Sequence, residues 1–160
     1  MQATTTFHSL YEAHAKDVYR FARFLTGSDD AAADVTSETF LRAWTGRDTI
    51  RLETARAYLL AIARNLARDR MRAGSRIADG GVPETPVAPN AEARLELNRT
   101  LDAMRLLPPD YRDPLLLAVS GVGYDEIGRL LGLSRSTVKI RVHRARAKLG
   151  AALSTPGRLP

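Results

Sequence analysis

The stretch that most narrows what this chain can fold into runs from Tyr124 to Leu149, YDEIGRLLGLSRSTVKIRVHRARAKL. Ile127, Leu130 and Leu131 recur at helical spacing, Gly132 and Leu133 break the pattern, and Ser134 stands where it can cap a second helix from Arg135 onward. The spacing predicts a helix-turn-helix: small Gly128 lets two short helices approach, Gly132 suits the turn, and Val138 plugs the angle between them. On the second helix Val138, Val142, Ala145 and Leu149 share one face at i, i+4, i+7 and i+11 and are expected to point inward. Arg135, Lys139, Arg141, Arg144, Arg146 and Lys148 populate the remainder, with no acid between Arg135 and Lys148. A solvated surface helix normally mixes signs; phosphate neutralisation, which releases condensed counterions, accounts for this one-sidedness. Lys139, Ile140, His143 and Arg144 form the outward strip expected to reach base edges in a major groove.

Charge over the whole chain agrees. Its 160 residues carry a formal net charge of +6, which favours a polyanionic partner, either nucleic acid or an acidic membrane. At 44% hydrophobic and 26% charged residues, the balance is that of a soluble globular protein with one domain or two small ones. No window approaches the ~18 apolar residues of a spanning helix. The start MQATTTF also lacks the basic and apolar regions of a secretion signal. A cytoplasmic protein without membrane insertion is therefore expected. Without cysteine there is no disulfide, thiolate nucleophile or thiolate zinc site, so any redox sensing must lie in a partner.

Upstream, residues 1–6 are polar and expected to fray, with Thr6 as a cap. Phe7, Leu10, Tyr11, His14, Val18, Phe21 and Leu25 then hold a helical stripe that Gly27 ends. His14 reads as a packed or edge histidine rather than a metal ligand. Ser28 to Asp30 supply a capped, acid-rich start for a helix through about Trp44, with Ala32, Val35, Phe40 and Ala43 as its core residues. Asp34 and Glu38 fall one turn apart on its solvent side. No histidine accompanies them and nothing nearby should perturb their pKa, so they read as a solvated or partner-facing acidic edge rather than a metal or acid/base pair.

Residues 45–54 are polar and aperiodic, a loop. A third helix is expected from about Thr54 to Ala73, with Leu59, Ile62 and Leu66 inward. Arg64, Arg68 and Arg72 make a basic row on it beside Asn65 and Asp69. Residues 74–91 concentrate Gly, Pro and small residues and read as a flexible linker. Leu97, Leu101 and Met104 mark a further helix closed by Leu107, Pro108 and Pro109. Another covers LLLAV, with Asp113 as its cap and Pro114 in its first turn. The closing STPGRLP is expected to be disordered. The fold class is all-α: two small helical domains, 7–73 and 92–153, joined by the linker 74–91. Three scattered histidines, no GxxxxGK[ST] phosphate loop and no nucleophile set argue against an enzyme, a resident metal or a cofactor.

These residues resemble a known family, the extracytoplasmic-function (ECF) sigma factors of bacterial RNA polymerase. DVTSETFLRAW (34–44) and RAYLLAIARNLARDRMR (56–72) are similar to that family's region 2, a three-helix-type bundle. LPPDYR (107–112) and EIGRLLGLSRSTVKIRVHRARAKL (126–149) are similar to its helix-turn-helix region 4. The resemblance implies that region 2 docks on the clamp helices of core RNA polymerase and captures the minus-ten promoter element. Region 4 would bind the minus-thirty-five element and the polymerase flap. Asp34, Glu38, Phe40 and Leu41 match the polymerase-docking helix. Arg64, Asn65, Arg68 and Asp69 match the part that handles the minus-ten strand, and the 45–54 loop matches the one that cradles a flipped-out base. Lys139, Ile140, His143 and Arg144 match the upstream-element readers, with Arg135 and Ser136 as phosphate contacts.

The resemblance also implies an anti-sigma factor that holds the protein inactive. Against the family pattern, Ala33 and Ser37 replace Glu and Gln, which makes the docking edge less acidic. Tyr58 replaces Trp, Gly128 replaces Ala, SRST replaces a glycine-containing start of the reading helix, and Ile140 replaces a common Ser. The Ile140 exchange turns a hydrogen-bonding group into one suited to a thymine methyl. Few aromatics suited to wedging a duplex open imply limited melting power and stringent promoter choice. A polymerase-independent helix-turn-helix regulator is the alternative, and would leave Asp34 to Trp44 without a task. A recombinase-like enzyme would need a metal or nucleophile cluster.

Overall fold

Alanines, threonines and β-branched residues on the apolar stripes of the first three helices let their backbones cross closely. In the computed structural model of the chain, which describes residues 2–46, 51, 54–73 and 91–154, these helices are α1 (Gln2–Thr26), α2 (Asp29–Thr45) and α3 (Ala55–Arg72). They pack pairwise into one unit, which lies within Met1–Pro83. Val18, Phe21, Ala22 and Leu25 of α1 meet Ala32, Val35, Phe40 and Ala43 of α2 and Leu59, Leu60, Ala63 and Leu66 of α3 in a buried core. All four expected core residues of α2 are thus inside. Thr36 and Thr39 join them, and each donates its hydroxyl to the carbonyl four residues back, Ala32 at 2.7 Å and Val35 at 2.6 Å. That internal bond is what allows a hydroxyl on an apolar face.

The α1–α2 corner is built as its sequence suggests. Gly27 takes φ 71°, and the Ser28 Oγ accepts from the Ala31 amide at 3.3 Å. Buried Arg23 donates to Asp29 Oδ1 at 2.7 Å and the Tyr19 hydroxyl donates to the same oxygen at 3.0 Å. Those two hydrogen bonds, Arg23's first, hold the Asp29 carboxyl below its ordinary range. The start of α1 departs from expectation: the helix runs back to Gln2, so Thr6 lies inside it rather than capping it. No Gly or Pro between Gln2 and Thr6 stops the turn from propagating. In α3, Ile62 is only half-buried while Leu60 is fully buried.

The second unit lies within Glu84–Pro160 and holds α4 (Ala91–Leu106), α5 (Pro109–Val119), α6 (Tyr124–Leu131) and α7 (Arg135–Ser154). Helices α4, α5 and α6 all contact α7. Its core gathers Ala103, Met104, Leu107, Leu115, Leu116, Leu117, Val122, Ile127, Val138, Val142 and Ala145. On α4, Leu97 stays exposed at 39% and only Met104 of the expected trio is buried. Asp113 is not a cap. Helix α5 starts at Pro109, with Pro108 before it, and Pro114 sits inside. The Pro108 carbonyl accepts from both Tyr111 and Arg112 at 2.9 Å, so the first turn forms ahead of Pro114. The one donor lost at Pro114 is offset by complete burial of its ring. Asp113 itself is 3% exposed and accepts from Arg112 Nε at 3.1 Å.

The expected loop 45–54 lies mostly outside the described residues, apart from Thr45 at the end of α2, Gly46, Arg51 and Thr54. The expected linker 74–91 lies outside them except for Ala91, and STPGRLP lies outside except for Ser154. Among the described residues there is no strand, and no helix is long and apolar enough to cross a membrane.

Two predictions follow from this packing. Gly132, between α6 and α7, has φ 70° with open space around its Cα. Gly132→Ala is therefore expected to cost about 1–2 kcal/mol from backbone strain alone, with Gly132→Asn costing less; urea denaturation of the two variants measures both. His14 is the second case. Its Nδ1 is buried without a hydrogen-bond partner among the described residues. Burial first, and the Arg56 guanidinium of α3 second, lower its pKa from 6.5, against the opposing pull of Asp17 on its own helix. Because the folded chain binds this proton less readily than the unfolded chain, stability falls as pH drops through 6.5 and toward the lower folded value. His14→Gln is expected to flatten that part of the stability–pH curve relative to the native chain.

Candidate nucleic-acid interface

The reading helix is presented by four residues. Helix α6 ends at left-handed Gly132, the Leu133 amide turns back to the Gly128 carbonyl at 2.8 Å, and the Ser134 Oγ accepts from the Thr137 amide at 3.1 Å. Gly128 has no space for a side chain here, since a Cβ would stand 2.5 Å from the Leu133 carbonyl oxygen. The close approach expected of Gly128 is thus made with the turn itself. Val138 and Ile127 are fully buried at the angle, and Val142 and Ala145 follow inward. Leu149 is half-buried.

Opposite that face, Arg135, Ser136, Lys139, Ile140, His143 and Arg144 are all exposed, Ile140 at 51%. The expected strip is therefore brought together on one side of α7. The cations of this helix divide into two groups. Arg135 lies 3.7 Å from Asp125, Arg141 lies 4.0 Å from Asp110, and the Lys148 ammonium sits 5.4 Å over the Tyr111 ring. Lys139, Arg144 and Arg146 are exposed and are paired with no acid among the described residues. Periodicity finds the helix, but it does not reveal which cations their own unit engages, because those partners come from α5 and α6.

In the first unit, Arg64, Asn65, Arg68 and Asp69 occupy two successive turns of α3. Asn65, Arg68 and Asp69 are exposed, and half-buried Arg64 donates to Asn65 Oδ1 at 3.1 Å. The α2 residues separate. Asp34 and Leu41 are exposed, Leu41 at 63%, and Glu38 is partly so. Phe40 is 3% exposed, its ring edge-on to Tyr11 at 4.8 Å and to Phe7 at 6.4 Å. Of the four α2 residues matched to the docking helix, Phe40 is thus the one placed in the core. It falls on the same helical stripe as Val35, Thr36 and Ala43, so it supports the helix from within.

Nor is the edge a bare acidic one. Glu38 pairs with Arg42 at 3.0 Å, and Asp34 pairs with Arg70 of α3 at 3.2 Å. These four residues, with Ser37, Leu41 and Thr45, line an open groove of about 510 Å³ between α2 and α3. Arg42 was visible in the sequence as the i+4 neighbour of Glu38. Arg70 had no local signal, being 36 residues from Asp34.

A helix-turn-helix whose outward helix face carries cations and no acid, in a chain whose first unit bears its own arginine row on α3, defines a helix-turn-helix nucleic-acid-binding protein. Comparison with known proteins narrows the class. The Sigma-70 region 2 model matches residues 10–77 and the Sigma-70 region 4 model matches residues 97–149. The chain is 37% identical over 143 residues to the ECF RNA polymerase sigma factor EcfG of Rhodopseudomonas palustris, covering 86% of this chain and 79% of that protein. It is 35% identical over 160 residues to the ECF sigma factor SigE of Mycolicibacterium smegmatis, covering 92% of this chain and 61% of that longer protein.

Two solved structures are similar along nearly the whole chain. One is the sigma factor RpoE in complex with the anti-sigma factor NepR from Bartonella quintana, with TM-score 0.76, 26% identity, and 94% and 98% of the two chains covered. The other is CnrH in complex with the cytosolic domain of CnrY, with TM-score 0.74, 30% identity, and 98% and 95% covered. The protein belongs to the ECF sigma factors of the sigma-70 family.

Proposed function

We propose that this chain is an alternative sigma factor that directs core RNA polymerase to a limited set of promoters. The observation that carries the reading is the acid-free, outward face of α7, set at a fixed angle by the Gly132–Ser134 turn, in a chain matched by both sigma regions. In this reading Lys139, Ile140, His143 and Arg144 meet base edges of the minus-thirty-five element, and Arg135 and Ser136 meet phosphates near the helix start. Arg64, Asn65, Arg68 and Asp69 handle the minus-ten strand. The α2–α3 groove around exposed Leu41, with Asp34 and Glu38 on its wall, seats the polymerase clamp helices, and the second unit meets the flap. The domains are 7–73 and 92–153, with 74–91 as the tether. Joining two weak DNA sites through a tether raises avidity by effective concentration.

Regulation belongs to the same reading. Of the structural relatives above, RpoE is bound to the anti-sigma factor NepR, which supports an anti-sigma partner for this chain. It acts in the cytoplasm, where polymerase and promoter are, and it is a binding subunit rather than an enzyme.

Run-off transcription with purified core polymerase and genomic fragments tests the proposal. Promoter-specific transcripts that depend on the added chain are expected. Tight promoter binding with no transcript would point instead to a polymerase-independent regulator. Within the assay, Arg144→Ala is expected to weaken upstream-element binding by about tenfold or more while affinity for core polymerase stays unchanged; electrophoretic mobility shift and core-binding competition read the two separately. Leu41→Asp is expected to do the reverse. It places a charge at the one apolar residue among the described residues that line the groove, so core affinity falls while binding of the isolated chain to upstream-element duplex is unaffected.

A further inference from the structure

At roughly 100° per residue, Ser136, Ile140, His143 and Ala147 form the ridge of α7 directly opposite buried Val138, Val142 and Ala145. All four are exposed. Lys139 and Arg146 flank this ridge on one side and Arg144 on the other, all exposed as well. The ridge therefore carries no Lys, Arg, Asp or Glu and runs along a line bounded by cations. Ile140 stands on that line with 51% of its surface exposed, where it adds nothing to the core of its own unit.

When a helix enters a major groove, the ridge farthest from its own core meets the base edges and the flanks meet the phosphate walls. Arg146 suits such a wall, and the side chains of Lys139 and Arg144 are long enough to reach from the flanks to base edges beside the ridge. The groove floor offers hydrogen-bond donors, acceptors and one kind of apolar protrusion, the C5-methyl of thymine. An isoleucine side chain has no hydrogen-bonding group with which to read anything else. We propose that Ile140 selects a thymine methyl in the upstream promoter element, through apolar contact at the centre of the reading ridge. The inference rests on the assignment of α7 to that element. A protein surface seated on the same ridge would have to accommodate cations on both sides, which favours DNA as the occupant.

The test uses holoenzyme assembled from core polymerase and the full chain, on a promoter recovered by run-off selection. Each thymine in the protected upstream element is replaced singly by deoxyuridine, which removes the methyl and leaves the hydrogen-bonding edge intact. Binding is expected to weaken by about 3- to 10-fold at about one or two positions. Ile140→Val should retain this discrimination, whereas Ile140→Ser should bind thymine and uracil duplexes alike. Because residue 140 is exposed, both variants should fold as the native chain does, and circular dichroism checks this. Equal binding of every deoxyuridine duplex by the native holoenzyme overturns the assignment. So does undiminished discrimination in Ile140→Ser, or an Ile140→Ser defect confined to core-polymerase affinity, which would make Ile140 a protein contact. Failure of the native chain to support any promoter-specific transcript would instead overturn the sigma-factor reading, and the inference with it.

Discussion

The orientation of α7 depends on a turn too short to flex. A left-handed residue at 132, an amide of Leu133 returned to Gly128 and a serine cap at 134 leave the backbone between α6 and α7 almost no torsional freedom. Fully buried Ile127 and Val138 then close the angle from inside. Each of those two side chains contributes roughly 1.5–3 kcal/mol on burial. Moving the reading helix relative to α6 would sacrifice them together. A rigid angle matters because base-edge contacts are directional, and a helix free to rock would lose specificity before it lost phosphate contacts.

Charge is handled in opposite ways in the two units. On the outward face of α7, Lys139, Arg144 and Arg146 are exposed and paired with no acid among the described residues, so each is available to displace counterions from DNA. On the α2–α3 edge the same residue types neutralise one another, Asp34 with Arg70 and Glu38 with Arg42. That edge cannot attract a partner by net charge. It offers shape, an exposed leucine at its centre, and ion pairs that a partner can exchange at little net cost, since exposed pairs of this kind contribute only about 0–1 kcal/mol. Four aromatic residues of the first unit pack on one another, Trp44 on Phe7 with centroids 4.7 Å apart and Phe40 on Tyr11 at 4.8 Å.

How much was legible follows from how local each signal is. The helix-turn-helix could be read in full because its determinants, Gly132, Ser134, Val138 and the basic face, lie within a few turns of one another. Core faces of α2 and α7 were legible by periodicity. Phe40 shows the limit: motif resemblance placed it on the docking helix and periodicity placed it in the core, and burial decides for the core. Pro114 was misread because a helix-interior proline carries a local cost, whereas the compensating burial of its ring comes from tertiary packing that no local rule contains. The Asp34–Arg70 pair spans two helices and left no trace in spacing. It changes the character of the α2–α3 edge from acidic to balanced.

These features together separate affinity from choice. Phosphate contacts by Arg135, Ser136 and Arg146 would hold any duplex, and would weaken steeply with salt regardless of sequence. Discrimination would have to come from the strip of Lys139, Ile140, His143 and Arg144, which spans few base pairs. A strip of that width cannot single out a promoter in a genome, where competing non-specific sites number on the order of a million or more. In the proposed reading the first unit must therefore contribute as well, by a different physical route, since a strand already opened would offer unstacked bases to α3 rather than groove edges. Two partial recognitions that share one chain multiply their selectivities only when both are engaged, which makes the spacing between the elements a term in recognition as real as any single side chain.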